Sequence, residues 1–173
     1  MKARNVLVVL GLIAAVAATR FFSHPMNFSP VMSVALFGAA VFFNRYLGIA
    51  VAILAMAVSD IFLGLHSTLP FVYASMALAG VLGFFLREKR SPLKIAAMAI
   101  SGSVLFFIIT NFGVFLMTGM YPYTLEGLLT CYTMALPFFK NSLAGDLVFS
   151  GSLFTLYYFF VKRRFTASTA NAT

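Results

Sequence analysis

Apolar residues come along this chain in runs about as long as a bilayer is thick, separated by short polar or basic stretches. Six such runs stand at roughly 5–22, 29–44, 46–65, 69–86, 94–118 and 141–161, and each predicts an α-helix. The second run is short and ends at Asn44-Arg45 with almost no loop before the third, so these two are expected to form a tight helical hairpin. Between the fifth and sixth runs, residues 119–140 are interrupted by Pro122, Gly127 and Pro137 yet still hold Leu125, Leu128, Leu129, Met134, Leu136, Phe138 and Phe139. That mixture predicts a partly helical segment lying at the membrane interface or folded back over the bundle. Residues 1–165 read as one membrane domain, and the tail 166–173, rich in Ala, Ser and Thr after a basic cluster, as disordered.

Composition turns this pattern into a class. The chain is 62% hydrophobic and 9% charged, with 21 Phe and a mean hydropathy of +1.00; an ordinary soluble domain has roughly 45–50% and about 25%. The expectation is an all-α integral membrane protein of six transmembrane helices. A formal net charge of +8 would suggest nucleic acid in a soluble domain, but here the basic residues sit between apolar runs, where they set topology and meet anionic lipid. With six crossings, Lys2, Arg4, Arg45, Arg87, Lys89, Arg90, Lys94, Lys162, Arg163 and Arg164 fall on one side, and only Arg20 and Lys140 on the other. Both termini are therefore expected in the cytoplasm. The lone cysteine, Cys131, can form neither an internal disulfide nor a cysteine metal cluster.

The first run has two readings. Lys2 and Arg4 followed by an apolar stretch and Ala15-Val16-Ala17 have the form of a secretory signal with a small-residue cleavage site. The favoured reading is a retained helix whose small residues Gly11, Ala14, Ala15 and Ala18 form a face of close approach, with Ala14 and Ala18 one turn apart. That face serves either packing within the bundle or docking of a partner.

The polar residues inside the runs carry the functional argument. Asp60, Asn111 and Asp146 all fall in the outer half of the third, fifth and sixth runs. At the same level stand Asn27 and Ser29 before the second run, His66 after the third, Tyr73 in the fourth, Tyr121 and Tyr123 after the fifth, and Lys140 with Asn141 opening the sixth. The inner half holds mainly Ser101, Ser103, Ser150 and Ser152, which can bond back to their own helices. A carboxylate within a span costs at least about 2.5–3.5 kcal/mol on insertion scales, so Asp60 and Asp146 need partners, and Lys140 is the expected cation. Ser142, Gly145 and Asp146 share a helix face, whereas Asp60 borders a close-packing stripe of Gly48, Ala52, Ala55 and Ser59. Either the carboxylates hold helices together, or they line a pocket open to the outside. In the second case Asp146 is the better candidate to face solute and Asp60 to hold the scaffold.

A proton relay or channel would need polarity running through the membrane, and here it stops halfway, which describes a cup above an Ala/Phe/Leu plug. No nucleotide-binding loop, zinc-protease motif or nucleophile triad is present, so no enzyme, cofactor or resident metal is expected. His24, His66, Met120 and Cys131 could offer soft ligands to a metal, but read more simply as loop and interfacial residues.

Asn27-Phe28-Ser29-Pro30 leading into Ala35-Leu36-Phe37-Gly38, then Ser59 to His66, Thr110-Asn111-Phe112, and Leu136 to Asp146, resemble a family of small, uncharacterised bacterial six-helix membrane proteins. That family is similar to the S components of energy-coupling factor (ECF) vitamin transporters. The resemblance implies a multi-pass S-component-like bundle in the bacterial inner membrane with an externally open site. It also implies docking, through an A-x-x-x-A pattern matched by Ala14 and Ala18, onto a coupling subunit driven by two ATPases. The leading expectation is a solute-binding subunit that captures a small micronutrient, with Asn27, Asp60, Asn111, Lys140, Asn141 and Asp146 at the site. The alternative is a non-transporting scaffold or assembly subunit of a larger membrane complex. A ligand-sized cavity under residues 119–140 would separate the two.

Overall fold

The computed structural model describes residues 3–22 and 27–162. The tail 166–173, His24, and the basic residues Lys2, Arg163 and Arg164 lie outside them. Among the described residues the chain is all-α, with six α-helices: α1 (Ala3–Ala18), α2 (Val31–Val41), α3 (Arg45–Leu63), α4 (Leu69–Phe84), α5 (Pro92–Met117) and α6 (Leu125–Tyr157). A short 3₁₀ turn (Thr19–Phe21) extends α1, and a π-helical turn (Tyr158–Lys162) extends α6.

Local chemistry sets most of the boundaries. Asn44 begins α3 by accepting from the backbone N–H groups of Tyr46 and Leu47, Ser91 begins α5 by accepting from that of Lys94, and Thr124 begins α6 by accepting from that of Gly127. Each supplies an acceptor to an N–H that has no partner inside the helix. Pro92 stands in the first turn of α5, where its missing N–H removes no bond.

Helix α2 is the hub. All eleven of its residues are buried, and it packs against each of the other five helices. Its hairpin with α3 closes because both facing residues lack a side chain: a Cβ on Gly38 would run into the carbonyl of Gly48, and one on Gly48 into that of Gly38. At about 1.5 Å per residue α2 is far shorter than a bilayer core of about 30 Å. Its terminal carbonyls are met by two arginines instead. Arg87 donates to Ala39 O and Phe42 O at 3.0 Å, and Arg90 to Ala40 O at 2.7 Å.

Both aspartates and several serines are buried beside apolar side chains such as Phe37 and Ile13, while many large apolar residues face out, Phe62 being 74% exposed and Leu93 82%. So large an exposed apolar surface fits a lipid surround. Three helices, α3, α5 and the α6 stretch Leu125–Val161, are long and apolar enough to cross a membrane, whereas those around α1, α2 and α4 are shorter apolar helices.

The segment 119–140 departs from expectation. No break separates it from the sixth run, because α6 is one helix of 33 residues that passes straight through Pro137. Pro137 forfeits a single bond to Thr133, and a helix packed along α5 tolerates that loss. The true start is Thr124, after a turn in which Thr124 N donates to Pro122 O at 2.7 Å.

Candidate functional site

The fold forms a cavity of about 360 Å³ among helices α2 to α6, the 3₁₀ turn after α1 and the adjoining loops. On α6 its wall runs from Ala135 to Asp146, about 16 Å along the axis. Asn27, Asp60, Asn111 and Asp146 all line it, so the polar residues of α3, α5 and α6 do converge. The other two expected members do not. Lys140 is exposed, Asn141 is half-buried, and neither belongs to the lining.

Asp60, 3% exposed, sits where α3 approaches its end. Its Oδ1 lies 2.6 Å from Nη2 of Arg20, and its Oδ2 accepts from the Tyr73 hydroxyl at 2.7 Å. Nη1 of Arg20 donates to Ser59 Oγ and, at 3.3 Å, to Met56 O. The expected pairing with Lys140 is thus replaced by one with Arg20, for a geometric reason: the 3₁₀ turn after α1 brings Arg20 against α3, while Lys140 projects from the exposed side of α6. Arg20 was visible in the sequence as one of only two basic residues assigned to the outer side.

Asp146, 2% exposed, has different company. Its Oδ1 accepts from Ser33 Oγ at 3.1 Å and its Oδ2 from Ser103 Oγ at 2.7 Å. Ser33 also donates to the Asp146 backbone carbonyl, and Ser150 donates to Ser33 at 3.1 Å. Ser103 does bond back to its own helix at Ala99 O, as its position in an apolar run allows, and in addition Ser103 and Ser150 help bind three helices around this carboxylate. Ser33 gave little sequence signal, being one hydroxyl within an apolar run.

Packing fixes the wall beside Asp146. A Cβ on Gly145 would stand 3.2 Å from Ser29 N, so the 27–30 loop lies directly on α6 there. Asn27 holds that loop with a φ of 61°, a left-handed conformation that Asn tolerates better than most residues. Asn111 donates its amide back to Phe107 O at 2.8 Å. Beyond Asp146 on α6, Leu153 and Phe154 are buried and Phe154 packs edge-on against Phe37, so apolar side chains close the bundle on that side. Among the described residues no group of three or more His, Cys, Asp or Glu could hold a metal. On α1, Gly11, Ala14, Ala15 and Ala18 are exposed and take no part in the core.

An all-α bundle with an apolar exterior, membrane-length helices and a polar cavity within defines a membrane protein with a polar site among its helices. The chain belongs to DUF6580, a family of unknown function, whose model matches residues 1–169. No curated protein and no solved structure matches it.

Proposed function

We propose that this protein is a solute-binding subunit of the bacterial cytoplasmic membrane, similar in design to the S components of ECF transporters. In this reading six helices cross the bilayer, both termini are cytoplasmic, and the cavity opens outward. The observation that carries it is the cavity itself: four polar residues from separate elements converge on about 360 Å³, within the usual range for small-molecule sites, above packed apolar side chains. The distribution of Lys and Arg supports the orientation. The chain would bind solute, and energy for uptake would come from a coupling subunit and ATPases docked on the exposed Ala14 and Ala18 face.

Mass spectrometry of protein purified from its native membrane should reveal a copurifying small molecule that is lost when the cavity is filled by Ala135→Trp. A tightly washed protein with no small molecule, and with unchanged association with other membrane proteins in that variant, would favour the second reading, a scaffold that uses the same small-residue face. Cysteines placed near Arg90 and Tyr123, at opposite ends of α5, should be labelled from the cytoplasm and from outside respectively. Labelling of both from one side would overturn the topology. Ala14→Leu with Ala18→Leu should abolish partner association and leave solute binding intact.

A further inference from the structure

The charges lining the cavity do not cancel. Arg20 and Asp60 neutralise each other in a bonded pair, His66 at the rim is exposed with its Nδ1 2.8 Å from Thr68 Oγ1, and Asp146 is left as the remaining carboxylate in the lining. Among the described residues no Lys, Arg or His forms an ion pair with it. The hydroxyls of Ser33 and Ser103 orient it without neutralising it. A carboxylate offers about four acceptor positions, so two donors leave room for more.

At 2% exposure such a group is costly to keep charged unless it takes up a proton or an opposite charge comes to it. The rest of the nearby wall indicates what kind. Phe106, Phe107 and Phe139 line the same space, and Phe107 and Phe139 pack with ring centroids 4.9 Å apart. Aromatic faces attract cations and accept flat or alkyl groups. A bare metal ion fits less well, because Ser33 and Ser103 turn their hydroxyls toward the carboxylate as donors, and among the described residues no group of three or more His, Cys, Asp or Glu stands ready to hold one.

We propose that the solute is an organic cation, a small molecule whose positively charged nitrogen seats against Asp146 while its apolar or aromatic body lies along Phe106, Phe107 and Phe139. This rests on reading the cavity as a solute site and goes beyond it by fixing the sign of the ligand's charge. Asp60 is excluded from the role because Arg20 already supplies its counter-charge at 2.6 Å.

The test uses the full-length protein in detergent, with thermal shift and calorimetry against matched probes: choline, nicotinamide and its N-methylated cation, benzylammonium and benzyl alcohol, and benzoate. Cationic members should stabilise the protein while their neutral counterparts and benzoate do not. Asp146→Asn should weaken cation binding by about 30-fold or more while its own unfolding temperature holds. Preference for a neutral or anionic probe in the wild type would overturn the proposal and leave the solute-site reading standing. So would cation binding unchanged in Asp146→Asn, since the carboxylate would then be carrying a proton rather than a ligand. If no probe of any class binds and no small molecule copurifies, the solute-site reading itself fails, and this inference with it.

Discussion

Two aspartates line one cavity and live under opposite arrangements. Asp60 has its cation in place, a tyrosine on its second oxygen, and a close-packed α3 behind it. Asp146 has serines only, contributed by α2 and α5, and is as deeply buried. Burial and residue type are the same, so the difference lies wholly in what the surrounding helices bring. A paired charge is finished and can serve as structure. A charge held by hydroxyls alone is oriented but not neutralised, and that is the state suited to receiving something.

The sharpest way to break this contrast is to remove each charge at constant shape. Asp60→Asn strands Arg20, whose side chain is only 17% exposed, and should destabilise the protein toward the lower end of the about 3–5 kcal/mol seen when a buried pair loses one member. Asp146→Asn strands no cation: Ser33 can still donate to the amide oxygen, while Ser103 can donate to Ala99 O and accept from the amide NH2. It should change stability by less than about 1 kcal/mol, in either direction. Thermal unfolding of the two variants in the same detergent checks the pair. Equal losses would mean that the two sites are not different in kind.

A smaller effect sharpens the Asp60 side. Tyr73→Phe removes one hydrogen bond to a charged acceptor and leaves the ion pair, so the expected loss is about 1.5–3 kcal/mol, less than that of Asp60→Asn. A double-mutant cycle with Arg20→Ala should show coupling, because Tyr73 and Arg20 meet on the same carboxylate. Additive losses would place Tyr73 outside that unit.

The sequence pattern allowed much of this to be read and concealed a definable part. Helices α1 to α5 follow the apolar runs, because a run of membrane length leaves the backbone no better way to satisfy itself. The common depth of Asp60, Asn111 and Asp146 was legible for a related reason: rise per residue converts position in a helix into height. Which side chains meet at that height was not legible, since it depends on rotation and neighbour order around the bundle. That is why nothing in the sequence singles out Ser33, on the hub helix, as a partner of Asp146, or Arg20 over Lys140 as the counter-ion of Asp60. The start of α6 is concealed because Pro137 looks like a stop, although one proline within a long packed helix removes only one bond.

Lys140 supplies the smallest expected effect and the cleanest check on that lesson. It lies six residues before Asp146 on the same helix, a separation that turns it to another side of α6, and it is exposed. Its chain position suggested a counter-ion, yet Asp60 already has Arg20, and among the described residues no carboxylate lies in ion-pair range of Lys140. Lys140→Ala should therefore shift stability by no more than about 0.5 kcal/mol, and should leave cation affinity at the cavity unchanged. A loss comparable to that of Asp60→Asn would show that the ammonium group reaches a buried carboxylate after all. The contrast between the two aspartates would then collapse, because Asp146 would have the charge partner that its present surroundings withhold.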